Sequence, residues 1–320
     1  MLRPLLYGIV LTVFVLTGSF VYVLKRTMSK EIFEVLPLLD KRYLFLSVLS
    51  MFFYHTFDNI RLFILARAMN LRYSFSYGYL VSFINTFGAT ITPAHVGGEM
   101  MSLYTLSRKG GRLHKVMSVV VMKTLTGMGF FVFMLPFLVY YFYKHTQEAI
   151  KLFVILVVLG LLSLLAYKLL RYLFDRSKNE NQSLILKVKY TLKRFIIVSR
   201  LFLRDKKVHI LLATLSSVFL YICFLLSGAF LLFAFEPSVS FSRAVFSQIA
   251  LLYAIFLSPT PGGSGVGEVG GLEVFSGFLS AYALGSFVIL WRFITQYLSA
   301  IIGGVLFFSL LFKDARAVLR

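Results

Sequence analysis

Long apolar stretches dominate this sequence, and two of them contain the same kind of interruption. The interruptions are residues 92–99 (TPAHVGGE) and residues 260–268 (TPGGSGVGE). Each combines Pro, Gly and a carboxylate, while the residues on both sides stay apolar. In lipid such a break frees backbone polar groups and places a charge at depth, so it is tolerated where protein or a water-filled cavity surrounds it. The pattern therefore predicts membrane helices that are broken inside the protein.

The two breaks belong to a longer repeat. Residues 74–76 and 240–242 both read Ser-Phe-Ser. In each copy the Glu of the break lies 24 positions before a basic residue, Glu99 before Lys123 and Glu268 before Arg292. Both basic residues lie inside apolar runs. Ionisable groups within a membrane commonly mark a substrate or ion path, although they also fix helix packing. We predict a substrate site that contains Glu99, Lys123, Glu268 and Arg292, and two structural ion pairs are the alternative.

Composition agrees with a membrane protein. The chain is 59% hydrophobic with a mean hydropathy of +0.84, and 14% of its residues are charged, against about 25% in soluble domains. Its 33 Lys and Arg against 13 Asp and Glu lie mostly beside predicted spans, which indicates membrane orientation and anionic lipid rather than nucleic acid. No DNA-binding or RNA-binding motif is present. The single Cys223 excludes an intrachain disulfide.

The apolar pattern predicts an all-α integral membrane protein that forms one domain over residues 1–320. Residues 1–42 form a first span and an interfacial helix, 43–143 repeat one, 144–208 a connecting span with a basic cytoplasmic linker, and 209–320 repeat two. About six full spans are expected, at 4–24, 43–65, 116–143, 150–174, 209–235 and 285–312. The breaks form two helical hairpins, with arms at 74–92 and 94–107 and at 241–258 and 269–283.

Two topologies are open. Either both hairpins are re-entrant, or each broken segment crosses the membrane once. The shortness of the arms and the distribution of Lys and Arg favour re-entrant hairpins. Three spans then separate the equivalent spans 43–65 and 209–235, counting from the first, so the second half is inverted. Inverted repeats with broken elements are typical of transporters, and we expect the hairpin tips to approach each other.

Further residues are candidates for the site. Free backbone N–H groups at a helix start bind anions, which indicates roles for Gly97, Gly98, Gly265 and Gly267. Asp58 and Arg61 share a helical face, and a structural pair is favoured over a transport role. His95 and Glu273 are secondary candidates. His55 is interpreted as a packing residue, and because no His or Cys lies at metal-binding spacing, no metal or other cofactor is expected.

At these motifs the chain resembles the lysylphosphatidylglycerol synthase transmembrane-region family. The resemblance rests on the Gly-Glu break before a cation-bearing span, and on residues 261–268 (PGGSGVGE) followed by Trp291-Arg292. The first break departs from the pattern at Ala94-His95, where Pro-x-Arg-like variants are expected. The family includes the flippase portion of the multiple peptide resistance factor and stand-alone membrane proteins. The resemblance covers most of the chain and implies a multi-pass lipid translocase of the inner membrane or a relative of one, without identifying the lipid.

Bifunctional members of that family add a soluble aminoacyl-transferase domain. Since this chain ends at Arg320, we expect no lipid aminoacylation and no enzyme activity. We predict a flippase-like protein that moves a charged-headgroup phospholipid or a lipid-linked phosphate between leaflets. Lys123 and Arg292 would bind the phosphate, while Glu99 and Glu268 would balance these cations or bind an ammonium group.

The expected partner is an anionic or zwitterionic membrane lipid, and a homo-oligomer is compatible with the sequence. A secondary transporter of small solutes or ions that uses the same site is an alternative. Another is a membrane enzyme on a lipid-linked substrate with Glu99 or Glu268 as general base. It is weakened by the absence of a nucleophile–His pair, a metal set or a nucleotide-binding loop. A structural partner subunit is a further alternative.

Overall fold

The computed structural model describes residues 39–92, 95–144 and 204–318, with isolated residues between 17 and 37 and between 150 and 200. Every regular element among these residues is a helix, which confirms the all-α fold class. The described residues leave out most of two predicted spans, 4–24 and 150–174. They also leave out most of the interfacial segment before residue 42 and of the basic segment 175–208. The domain boundaries stay predictions.

The described helices fall into long rods and shorter paired arms. They are α1 (Lys41–Ala68), α2 (Phe75–Thr90), α3 (Val96–Ser107), α4 (Leu113–Lys144), α5 (Lys207–Phe235), α6 (Phe241–Leu257), α7 (Val266–Phe275), α8 (Ala281–Arg292) and α9 (Leu298–Val318). A 3-10 turn at Pro261–Gly263 precedes α7, and a π-helical turn at Phe293–Tyr297 joins α8 to α9.

Three helical stretches of the described part are long and apolar enough to cross a membrane. They are Leu113–Tyr140, Lys207–Phe235 and Ala283–Arg316, and they overlap the predicted spans 116–143, 209–235 and 285–312. Helix α1, which overlaps the predicted span 43–65, has 28 residues and rises about 42 Å at about 1.5 Å per residue. It is long enough to cross, but Asp58 and Arg61 on its buried face make it less apolar.

Helices α1 and α5 pack antiparallel over most of their length. The rings of Tyr43 and Phe233 lie 5.6 Å apart near one end, and those of Phe57 and Phe219 lie 5.3 Å apart further along. Between these contacts, the Ser47 hydroxyl donates to a carbonyl of α5 at 2.8 Å. If the two halves are inverted repeats, α1 and α5 must run in opposite directions, as they do. Inversion of the whole second half stays a prediction.

The first break separates two antiparallel arms, α2 and α3. Asn85 Nδ2 donates to Ser102 Oγ at 2.9 Å near the tip, and Tyr77 Oη donates to the Thr105 carbonyl at 2.7 Å near the base. The arms approach closely because Gly88 faces α3 without a side chain. A Cβ at Gly88 would lie 2.5 Å from a carbonyl oxygen of α3. The observed bounds lie close to the predicted arms.

The second break differs from its predicted layout. The arm expected at 269–283 is helix α7, which begins at Val266 and ends at Phe275. The chain then turns over residues 276–280, and Ser280 caps the next helix by accepting from the Ala283 N–H at 3.4 Å. Helix α8, the π-helical turn and α9 form one continuous helical stretch, which we call the last rod. It begins at Ala281 rather than at residue 285, because a local capping signal starts it one turn early.

The last rod lies beside the first hairpin. A Cβ added at Gly303 would lie 2.0 Å from the Phe83 carbonyl oxygen, so α9 and α2 touch backbone to backbone. Further along, the rings of Phe87 and Phe307 lie 6.0 Å apart. Beyond them Asp314 accepts hydrogen bonds from Tyr104 and Arg108 of the first hairpin and its following loop. These contacts hold the first hairpin against the C-terminal helix of the second half.

Candidate functional site

The tips of the two hairpins meet. A Cβ at Gly262, in the second break, would lie 2.9 Å from Thr90 Cα at the end of α2. Gly262 has a φ of 57°, a backbone conformation that glycine adopts readily. Gln296, in the π-helical turn, bridges the two tips by donating to the Gly262 carbonyl at 2.7 Å and to Thr90 Oγ1 at 3.2 Å. Pro93 and Ala94 of the first break lie outside the described residues.

A cavity of about 190 Å³ lies where these tips meet α1, α4 and α5. We call it the polar cavity. Its charged lining residues are Asp58, Arg61, Glu99, Lys123 and Arg292, and it is also lined by His55, His95, Thr90, Thr124, Gln296 and Tyr221 among others. Three of the four residues predicted to form the substrate site therefore line one cavity, and the fourth, Glu268, lies directly behind Arg292.

Asp58 is the centre of a buried ionic network. Its carboxylate lies 2.5 Å from an Arg61 guanidinium nitrogen and 3.3 Å from Lys123 Nζ. Asp58, Arg61 and Lys123 are all less than a tenth exposed. The sequence predicts that Glu99 balances Lys123, and this is wrong, because the ion pair that Lys123 forms is with Asp58. A buried cation needs a nearby acid, and α1 brings Asp58 closer to it than the first break brings Glu99.

The second pair is enclosed. Arg292 Nε donates to Glu268 Oε1 at 2.9 Å, and the two residues are 1% and 0% exposed. Glu268 also accepts from the Gly265 N–H at 2.5 Å and from the Tyr297 hydroxyl. Gly267 permits the pair, because a Cβ there would lie 2.7 Å from Arg292 Nε. Glu268 balances Arg292 as expected from the sequence, and its carboxylate is occupied by protein groups.

Glu99 has a different environment from Glu268. Its Oε1 accepts from Thr124 Oγ1 at 2.8 Å, while its buried Oε2 has no hydrogen-bond partner among the described residues. The Nε of Arg61 is likewise buried and without a hydrogen-bond partner there. Within the described part of the chain, the lining of the polar cavity therefore has one unsatisfied side-chain acceptor and one unsatisfied side-chain donor. Such groups cost about 1–3 kcal/mol each when nothing bonds to them.

Two of the four glycine N–H groups predicted to bind an anion, those of Gly97 and Gly265, bond to the protein instead. The Gly97 N–H donates to Thr92 Oγ1 at 2.7 Å, and the Gly265 N–H donates to Glu268. Both donors are therefore engaged within the protein, because each break closes on its own first helical turn. The roles predicted for Gly98 and Gly267 in substrate binding stay predictions, and both residues pack against neighbouring groups.

The secondary candidates separate into two groups. Asp58, Arg61 and His95 line the polar cavity, whereas Glu273 does not. His55 has the packing role expected of it, since its ring nitrogens bond to Ser82 Oγ at 2.9 Å and Ser299 Oγ at 2.7 Å, although it also borders the cavity. In the part of the chain that the structure describes, no group of three or more His, Cys, Asp or Glu residues could hold a metal ion.

Sequence reasoning missed several residues of the site, among them Thr124 and Gln296. Thr124 orients Glu99, and Gln296 joins the hairpin tips. Each follows a recognisable signal in the sequence: Thr124 comes directly after Lys123, and Gln296 is an isolated amide in an apolar span. An uncharged polar residue in such a span is costly unless it is hydrogen-bonded, which would have marked Gln296 as a candidate.

Comparison with known proteins supports the sequence resemblance. Residues 6–303 match the family described as the lysylphosphatidylglycerol synthase TM region. A UPF0104 membrane protein of Archaeoglobus fulgidus is 24% identical over 261 residues, which cover 77% of this chain and 80% of that protein. The family match includes both breaks, the charged residues of the polar cavity and most of each apolar helical stretch. This all-α membrane protein therefore belongs to the lysylphosphatidylglycerol synthase transmembrane-region family.

Proposed function

We propose that the protein translocates a lipid with a charged headgroup between the leaflets of the cytoplasmic membrane. The observation that carries the proposal is the polar cavity, which has acidic and basic residues at the meeting point of two broken helical hairpins. Around it the helices are strongly apolar. Family membership adds support, because the family's name connects this transmembrane region with lipid metabolism.

The chemistry of the cavity suits the barrier that a lipid headgroup meets. The hydrocarbon core of a bilayer is about 30 Å thick, and a charged group that enters it without partners loses its hydration at a large free-energy cost. Protein groups that replace water around the headgroup lower this cost. Arg61, Lys123 and Arg292 supply cationic donors for a phosphate, and Glu99 supplies an acceptor for a hydroxyl or ammonium group.

The residues of the site contribute unequally to this proposal. Glu268 is held by Arg292, Gly265 and Tyr297, so we assign it to positioning Arg292 rather than to contact with the lipid. Among the described residues, one carboxylate oxygen of Glu99 and the Nε of Arg61 have no hydrogen-bond partner. We therefore place Glu99, Arg61 and Lys123 at the headgroup. Because its carboxylate already accepts these three hydrogen bonds, Glu268 is poorly placed to take a proton from a substrate. This disfavours the alternative in which Glu268 is the general base of an enzyme.

A small-solute transporter is the second candidate, because a cavity of about 190 Å³ is below the range of about 300–1,000 Å³ for drug-sized ligands. A solute transporter and a lipid translocase differ in the path by which the substrate reaches the polar cavity. A water-soluble substrate needs a path to the aqueous phase, whereas a lipid needs an opening toward the acyl chains.

Replacing Glu99 by Gln tests the lipid proposal with little change in side-chain shape. The purified protein is placed in vesicles with fluorescently labelled phosphatidylethanolamine or phosphatidylglycerol, and the exposed label is quenched chemically. We expect Glu99→Gln to slow translocation about 10–100-fold, because a hydrogen bond to a charged group contributes about 1.5–3 kcal/mol.

Glu236→Gln is the matched control, because Glu236 lies at the end of α5, bonds to Ser238 and does not line the polar cavity. It should translocate lipid like the unchanged protein. If the unchanged protein moves either lipid no faster than protein-free vesicles do, translocation of these lipids is contradicted. If Glu99→Gln is fully active, the role of Glu99 at the headgroup is wrong.

A further inference from the structure

A second cavity, apolar in character, lies between α2 and α9. We call it the apolar groove; it has a volume of about 770 Å³, and its lining includes Phe87, Ile91, Ala300, Ile301, Val305 and Phe308. Ile301 and Val305 are 58% and 64% exposed, so the groove opens at the surface of the described helices. Its lining on the last rod extends from Tyr297 to Phe312, a rise of about 22 Å along the helix axis.

Small residues create this groove. Gly303 brings the backbone of α9 against the Phe83 carbonyl of α2, so the two helices cross closely there. The next residue, Gly304, faces the Phe87 ring without a side chain, and an added Cβ would lie 3.2 Å from that ring. Ala300, one turn earlier, is also small. The groove is therefore a space that the sequence leaves unfilled along one side of the helix contact.

The apolar groove and the polar cavity share one wall. Thr90 lines both cavities, and it accepts a hydrogen bond from Gln296, which lines the polar cavity. The residue after Gln296 is Tyr297, which lines the groove. Both belong to the π-helical turn at Phe293–Tyr297, a local irregularity that is frequent at functional sites. A layer of polar contacts thus lies between a charged compartment and an apolar one.

We propose that the two compartments form one site for a single lipid, with a hydrocarbon chain in the apolar groove and the headgroup in the polar cavity. This inference rests on the proposed function, since both require a lipid headgroup among Arg61, Glu99 and Lys123. The occupant is a hydrocarbon chain because the groove is long, parallel to a helix and lined almost wholly by apolar groups. Since the hydrogen bond from Gln296 to Thr90 separates the two compartments, it must open for the polar linkage between headgroup and chain to pass between these residues.

The size of the polar cavity narrows the class of lipid. At about 190 Å³, the polar cavity is smaller than the pockets of about 300–1,000 Å³ that hold drug-sized ligands. A phosphate with a short polar substituent fits that space, whereas an oligosaccharide does not. The substrate class is therefore a phospholipid or a lipid phosphate with a small headgroup.

Filling the groove tests the inference. Val305→Trp places an indole in it, and Val132→Trp on α4 is the matched control, since Val132 is 72% exposed and lines neither cavity. Phospholipid retained after purification is measured by native mass spectrometry, and translocation is measured in vesicles. We expect Val305→Trp to lower both by about tenfold, as when about two methylene groups lose their apolar contacts. Val132→Trp should lower neither.

The outcomes separate the groove from the proposed function. If both tryptophan variants retain and move lipid like the unchanged protein, the groove does not hold the chain and translocation itself stands. If the unchanged protein retains phospholipid and moves none, while Val305→Trp loses that lipid, the groove is supported and translocation is contradicted.

A photoreactive side chain in place of an aromatic residue gives a second measurement that adds less bulk to the groove. Phe312 lines the groove and is 66% exposed. With p-benzoylphenylalanine in place of Phe312, we expect a covalent phospholipid adduct whose yield falls severalfold when Glu99→Gln is added. The same probe in place of Phe133 on α4, which is 61% exposed and lines neither cavity, should show no dependence on Glu99. An adduct at 312 that is independent of Glu99, or a crosslink from 312 to another segment of this chain, would overturn the inference.

Discussion

At the scale of single residues, Glu99 and Glu268 differ although their sequence contexts are alike. Glu268 is fully buried and bonded to Arg292, Gly265 and Tyr297. Glu99 bonds to Thr124 and keeps one oxygen without a hydrogen-bond partner among the described residues. The spacing of 24 positions to the next cation is shared. The difference arises because Asp58 neutralises the cation of the first copy.

The enclosed pair leads to a prediction about stability. Arg292→Met leaves the Glu268 carboxylate buried without its counter-ion, so the free energy of unfolding should fall by about 3–5 kcal/mol. The double variant Glu268→Gln/Arg292→Met should be more stable than Arg292→Met, because no uncompensated charge stays buried. Chemical unfolding in detergent micelles measures both, with Glu236→Gln as a control for loss of a carboxylate elsewhere. A double variant that is less stable than Arg292→Met would contradict this account.

At the scale of helices, close backbone contacts position the two breaks. Gly303 brings α9 to α2, and Gly88 brings α2 to α3. Glycine at such points removes the side chain that would hold the helices apart, and in membranes small residues favour helix association through van der Waals contact. The first hairpin is thereby fixed against both its own second arm and the last rod, which places Thr90 beside Gln296.

The contact between α9 and α2 can be tested by adding a methyl group. Gly303→Ala places a Cβ against the Phe83 carbonyl oxygen, and overpacking of this kind costs about 1–3 kcal/mol. Gly277→Ala is the matched control, because a Cβ there would meet nothing within 4 Å. We expect a lower apparent melting temperature for Gly303→Ala in detergent and an unchanged one for Gly277→Ala. Equal melting temperatures would show that the helices separate without cost.

At the scale of the whole molecule, the arms of each hairpin are antiparallel. Within one hairpin, the residue where the chain enters therefore lies close to the residue where it leaves. In the first hairpin, Lys109 Nζ lies 4.4 Å from the centre of the Tyr77 ring. In the second, the Arg243 guanidinium carbon lies 5.3 Å from the centre of the Phe278 ring. This is the geometry that re-entrant hairpins require, and the opposite directions of α1 and α5 are those of inverted halves.

Cysteine labelling in membranes tests this topology. In a Cys223→Ser background, which has no other cysteine, Arg72→Cys and Lys109→Cys should react with an impermeant maleimide from one side. Ser238→Cys and Gly277→Cys should react from the opposite side. A membrane-permeant maleimide controls for reactivity. Labelling of positions 72 and 109 from opposite sides would show that the first broken segment crosses the membrane.

The sequence by itself determined the membrane class, the long helices, the positions of both breaks and the identity of most charged residues of the site. These features follow from local composition, because a long apolar run must be helical in lipid and Pro, Gly and a carboxylate must interrupt it. A start signal such as the Ser280 cap is also local, although the predicted bounds of α7 and α8 overlooked it.

Only the tertiary structure decided how the charges pair and where the cavities lie. Lys123 bonds to Asp58, which is 65 positions away in the chain, and Thr90 lies beside Gln296, which is 206 positions away. Equal spacing in two repeats indicates equal positions along helices, but it carries no information on helix rotation. Successive residues of a helix point in directions about 100° apart. A change in helix rotation equal to one residue is therefore enough to exchange one acid for another beside the same cation.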